Sequence, residues 1–280
     1  MTEAVGREGG DATAEFAEWI PDARRALRRE RRILRAEADA FGRFCRRLAA
    51  VDVDAESVAA QSGSVATLAE RGLAEGGDSP AGAAIRDAYV ETVMDTPHYA
   101  AEYGDAYWES VASEFGAELA MALRQAARVT PLLRDQLLAA ARRSKRSRKR
   151  LLSDISDEAD ALGAAERALD AAREDLVAIR SRPLYGCSPR ELRRLLADLD
   201  GLEADCQALA VRRQSGDLEP KTVRVPDGSA RPVNEYLYQS LPSSHPVLSA
   251  VSAVSDDVVT TAGRIRGVLS AGDESAEISE

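Results

Sequence analysis

TPLLRDQLLAAARRSKRSRKRLLSDISDEADALGAAERALDAAREDLVAIRS, residues 130–181, decides the fold, because no proline interrupts it after its first turn and it carries a long apolar seam. Ile155, Leu162, Leu169 and Leu176 recur every seven residues, with Leu151, Ala165, Ala172 and Ile179 at the complementary positions. That pattern belongs to a helix lying along other helices. Thr130 can accept from an orphan amide while Pro131 suits a first turn, and Arg182-Pro183 ends the run. At 1.5 Å per residue the helix would be about 75 Å long.

Working outward, Ser188-Pro189-Arg190-Glu191 has the N-cap Ser, first-turn Pro and third-position Glu of a capping box. The helix it opens reads Leu192, Leu195, Leu199, Leu202, Cys206, Leu209 to about Gln214. Only the loop around Tyr185-Gly186 separates the two, so an antiparallel hairpin over 130–214 is expected. A second long helix is predicted from Pro21 to about Ala50, on the line Ile20, Leu27, Leu34, Phe41, Leu48. The last helix starts at Pro246 and carries Val247, Val251, Val254, Val258, Ile265 and Val268. So many valines need tertiary packing to hold them helical.

Between these lie segments of other character. Residues 1–12 read as a disordered lead, 13–51 as the first helix with its approach, and 52–84 as a linker with one weak helical turn near Val65 to Leu73, ending in the breakers GGDSPAG. Tyr89, Tyr99, Tyr103, Tyr107, Trp108 and Phe115 then crowd into an aromatic subdomain over 85–129. Thr96-Pro97 and Gly104 divide it into pieces near 85–95, 97–103 and 105–128. Residues 215–232 form a loop in which Val223 to Val225 pairs briefly as a strand, 233–270 hold the C-terminal helices, and 271–280 are an acidic, frayed tail. The fold class is therefore all-α: an elongated helical bundle built on a long antiparallel coiled-coil hairpin, with a small aromatic-rich helical subdomain.

Composition bounds the partners. Aromatics are 5% against 45% apolar and 30% charged, the mixture of long packed helices. With 37 basic and 47 acidic residues the net charge is -10, which gives no overall bias toward nucleic acid or acidic lipid. Only Lys145, Lys149 and Lys221 among the cations are lysines. Cys45, Cys187 and Cys206 have no paired spacing and read as free thiols in a reducing cytoplasm. No apolar run approaches a membrane span, and no signal segment is seen at the start.

The segment IRDAYVETVMDTPHYAAEYGDAYWESVASEFGAELAMALR (85–124), the leucine-rich pair after it, NEYLYQSLPSSHPVL (234–248) and RRALRRERRILRAEADAFGRF (24–44) together resemble a family of haloarchaeal helical, coiled-coil-containing proteins of unknown function. The resemblance spans most of residues 24–270 and implies a cytoplasmic protein working in high potassium. It implies no activity, so it assigns no residue a role.

Two features bear on chemistry. Arg142, Arg143, Lys145, Arg146, Arg148, Lys149 and Arg150 place seven cations in nine residues, and Arg24, Arg28, Arg31 and Arg35 line one face of the first helix. Side by side they would make a positive ridge able to track phosphates. Against this, Asp154, Asp157, Glu158 and Asp160 follow the run, and Glu30, Glu37 and Asp39 interleave the first stretch, so a solvated or intrahelical salt-bridged face takes precedence. Concentrated salt would weaken phosphate binding further. His98 and Glu102 sit one helical turn apart, where they could ligate a metal or exchange protons. The other histidine, His245, is remote in sequence, and a hydrogen-bonded edge of a small core is the preferred reading. Phosphate loops, dinucleotide loops and nucleophile elbows are absent from the sequence. The expectation is a non-enzymatic scaffold without metal or cofactor, which self-associates or binds another helical protein across the basic segment of its long helix. Nucleic-acid association is the alternative.

Overall fold

The structure, a computed structural model, describes residues 19–53, 79–216, 222–224 and 230–277. The expectations for the lead at 1–12, for a turn at 65–73 and for 225–229 and 278–280 lie outside the described residues. Nine helices and two short strands appear among the described ones: α1 (Trp19–Ala49), α2 (Pro80–Val90), α3 (Tyr99–Glu102), α4 (Tyr107–Phe115), α5 (Ala117–Gln125), α6 (Pro131–Arg180), α7 (Pro189–Gly216), β1 (Thr222–Arg224), β2 (Ala230–Pro232), α8 (Val233–Leu237) and α9 (Pro246–Glu277). The fold is an all-α bundle, and the only sheet among the described residues is the pair β1-β2. No described helix is long and apolar enough to cross a membrane.

The helix ends follow local chemistry. Thr130 Oγ1 accepts from the Leu133 amide at 3.2 Å, opening α6 where the sequence places it. At α7 the capping box closes both ways: the Glu191 amide donates to Ser188 Oγ at 3.3 Å and the Ser188 amide to Glu191 Oε2 at 2.8 Å. Those bonds from the Ser188 side chain and backbone hold the Glu191 carboxyl below the usual carboxylate range. Three boundaries differ from the expectation. α2 starts at Pro80, inside the breaker cluster, because Ser79 Oγ caps it by accepting from the Gly82 amide at 3.1 Å. The last piece of the aromatic segment splits into α4 and α5 at Gly116, whose φ of 95° is open to glycine at little cost. α9 runs on to Glu277, since no proline stops it before the tail.

Two compact units divide the chain. The first comprises Met1–Arg28, Ser156–Val223 and Arg231–Glu280. The heptad leucines of α6, Leu162, Leu169 and Leu176, are buried there with Leu192, Leu195, Leu199 and Cys206 of α7 and Val247, Val251, Val254, Val258 and Ile265 of α9. Glu158 of α6 holds both terminal nitrogens of Arg213 on α7, at 2.8 and 2.6 Å. One residue lies far before the end of its helix and the other far after the start of its own, which is the register of antiparallel neighbours. Arg180 ties α6 to α9 by donating to Thr261 Oγ1 at 2.9 Å and Asp257 Oδ1 at 2.7 Å.

The second unit comprises Arg29–Ile155 and Arg224–Ala230. Phe41, Phe44 and Leu48 of α1 pack with Ile85 and Tyr89 of α2, Val111 of α4, Leu123 of α5 and Leu133, Leu137 and Ala141 of α6. Phe44 meets Tyr89 edge-on at 5.3 Å and stacks with Phe115 at 6.0 Å. Tyr89 is fully buried and bonds Ser110 Oγ at 2.9 Å, and burial pushes its phenol well above the ordinary range.

Candidate functional site

The 3-4 repeat of α6 continues through the basic run. Leu137, Ala141, Ser144, Leu151 and Ile155 are buried, and Arg148 occupies the inward position between Ser144 and Leu151. A cation in a seam must find its counter-charges inside. Arg148 Nε donates to Glu37 Oε2 at 3.0 Å and Nη1 to Glu114 Oε2 at 2.9 Å, while Nη2 donates to Glu114 Oε1. Its guanidinium lies 5.0 Å from the centroid of the Phe41 ring. Burial alone would lower its pKa; the carboxylates of Glu114 and then Glu37, with their hydrogen bonds, outweigh that and raise it.

Glu37 is 8% exposed and is claimed from the other side as well. Its Oε1 accepts from the Tyr103 hydroxyl at 2.7 Å and lies 3.1 Å from His98 Nε2. His98 thus packs against α1 as a partner of Glu37. Glu102 instead pairs with Arg29, so the two residues read as a possible metal or proton-transfer pair are drawn to different partners. Among the described residues no group of three or more His, Cys, Asp and Glu side chains is placed to hold a metal ion.

The rest of the run faces outward. Arg142, Arg143, Arg146, Lys149 and Arg150 are exposed, and none has a carboxylate within 4.0 Å among the described residues. Of the two forms the sequence reading allows, these five cations take the solvated one: Glu158 goes to Arg213, and Glu37 and Glu114 are taken by Arg148. Lys145 is half-buried and lies over Gly42, where an added Cβ would stand 2.9 Å from its Nζ. Arg46 of α1 also approaches that glycine, and with Lys145 and Arg142 it is near enough to Cys45 to act on its thiol. Burial pushes that thiol up, against the pull of the three cations.

The Arg-rich stretch of α1 is distributed differently from the ridge read in the sequence. Arg24 pairs with Glu166 at 2.8 Å in the first unit, to which exposed Arg28 also belongs. Arg31 and Arg35 are exposed in the second unit. The α1 cation brought against the run on α6 is Arg46, which the sequence reading passed over. A signal for Glu37 and Arg148 existed: each is a lone charge at an inward position of an apolar repeat, Glu37 between Leu34 and Phe41. The seam across the basic run is thus filled from within the chain and does not call for a second copy.

Among the described residues of the second unit, 19 basic side chains stand against 14 acidic ones, a local excess of +5 in a chain whose net charge is -10.

No curated protein and no solved structure matches the chain. The family model for a domain of unknown function, DUF7260, matches residues 18–262, and with so much of its length covered the chain belongs to that family.

Proposed function

We propose that this chain is a non-catalytic helical protein of the cytoplasm whose second unit binds the phosphate backbone of nucleic acid through α6. The observation that carries this is the sorting of one run of seven cations. Arg148 is consumed by Glu37 and Glu114, while Arg142, Arg143, Arg146, Lys149 and Arg150 stay exposed without a carboxylate partner among the described residues. Phosphate contacts need little else, since a row of cations on a rigid element neutralises charge and releases counterions whatever the base sequence. The polar groups that converge in the same unit, Glu37, His98, Tyr103, Arg148 and Glu114, satisfy one another, which suits a fold-holding role.

The test is charge reversal that spares the core: Arg146→Glu, Lys149→Glu and Arg150→Glu together, with Arg148 kept. Labelled duplex binding, followed by anisotropy at low and at molar potassium chloride, should fall by more than about tenfold while far-UV circular dichroism is unchanged. Unchanged binding, or no binding by the parent protein at any salt, overturns the reading.

A scaffold role through self-association or a second helical protein is the second reading, and the first unit does leave single large apolar side chains open to contact: Val177, Val211 and Val259 stand about 60% exposed on α6, α7 and α9. A monomer mass by light scattering at the host's own salt would remove the self-association form of it.

A further inference from the structure

We propose that Trp108, flanked by Arg86 and Arg124, is a stacking platform for an unpaired base, so that the second unit grips single-stranded nucleic acid as well as duplex. This rests on the nucleic-acid reading above and names a second site for it. α4 presents Tyr107 and Trp108 side by side, their rings 4.7 Å apart and inclined at 67°. Tyr107 leans its ring on buried Tyr89 at 5.7 Å and 82°, which fixes the pair against the core. Trp108 remains partly exposed at the rim.

Two guanidiniums from different helices converge on this indole. Arg86 of α2 lies 6.0 Å from the Trp108 centroid and 5.7 Å from that of Tyr107, and Arg124 of α5 lies 5.8 Å from Trp108. Neither arginine has a carboxylate within 4.0 Å among the described residues. An aromatic face is a weaker partner for a guanidinium than a charge-assisted hydrogen bond to phosphate. A phosphate arriving here can therefore draw Arg86 or Arg124 off the ring and leave its face to the attached base. Base-on-indole stacking with a neighbouring arginine plane is sequence-tolerant, because every base has such a face. The exposed cations of α6 track the backbone without reading bases, and this site in the same unit adds the contact that only an unstacked strand can make.

Trp108 reports on itself. With Trp19→Phe as background it is the sole tryptophan, since the chain has two. A dT oligonucleotide about 15 nucleotides long should quench its fluorescence, whereas a duplex of equal phosphate content should bind with little quenching. Trp108→Leu should weaken the labelled dT strand by about tenfold or more and leave duplex affinity unchanged. If the labelled strand binds without quenching, the platform is wrong and the backbone reading stands. If no labelled nucleic acid binds at all, the backbone reading fails first. Equal quenching by inorganic phosphate, by AMP or by polyglutamate overturns the proposal in favour of an anion site, a mononucleotide site or an acidic protein segment.

Discussion

Removing the Arg148 side chain would strand two inward carboxylates, Glu37 and Glu114, with no other cation among the described residues paired to both. Breaking such a partnership from one side costs more than the pair contributes, because the remaining charge stays buried. Arg148→Met should therefore lower unfolding stability by about 3–5 kcal/mol, whereas Arg146→Met, two residues away on the exposed face, should stay within about 0.5 kcal/mol of the parent. Urea denaturation of the two variants checks this, and equal midpoints would refute the core assignment. Tyr107 offers a pH test in the same unit. Burial, opposed by Arg86 and aided by Asp87, leaves its hydroxyl pushed up to about 12. The folded state then holds the proton more tightly than the unfolded chain, whose phenols titrate near 10. Its contribution is complete below about pH 10 and is lost as the pH rises toward about 12, to an extent of roughly 2–3 kcal/mol. Tyr107→Phe should show the smaller loss of stability between about pH 9 and about pH 11.5. The lysine background is small, since the chain has only three.

At the scale of elements, what the sequence made legible was punctuation and period. Thr130-Pro131 and Ser188-Pro189-Arg190-Glu191 are local signals whose hydrogen bonds close within three residues, and both close as expected. Ser79-Pro80 carries the same chemistry but sits among glycines that read as a stop, so α2 begins earlier than expected. Gly116 was hidden for the opposite reason: a single glycine within an apolar run is tolerated by a helix, and only its backbone angle reveals the break. The seam through the basic run keeps its 3-4 spacing, yet it is filled by Ala141, Ser144 and Arg148 in place of leucines, so a search for apolar residues loses it. Its partners lie elsewhere in the chain: Glu37 is 111 residues from Arg148 and Glu114 is 34 away. Spacing along one helix cannot show which of its charges will be met from outside it. For that reason the sorting of the run into one inward and five outward cations, the basis of the proposed site, emerges only with the tertiary fold.

For the whole molecule, the net charge of -10 and an exposed row of cations on the second unit set two electrostatic ranges against each other. At low salt, with a Debye length of about 30 Å at 0.01 M, the net negative charge of the chain is felt by an approaching polyanion. Near 0.15 M the length falls to about 8 Å, and the local cations of α6 dominate what a docked strand experiences. Backbone binding through the five exposed cations should then give a slope of log K against log salt of about -4.5 on duplex, and of about -4.2 on single strands, where Arg86 or Arg124 adds a sixth phosphate contact. Lys149→Gln should reduce the magnitude on duplex by about 1. Trp108→Leu should act differently, lowering the single-strand line and leaving the duplex line in place, because only an unstacked base reaches the indole. Anisotropy titrations between about 50 and 200 mM salt on both substrates separate the two sites. A flat line for duplex would remove the cations of α6 from binding, and a duplex line lowered by Trp108→Leu as much as the single-strand line would make that residue's effect general, against a stacked base.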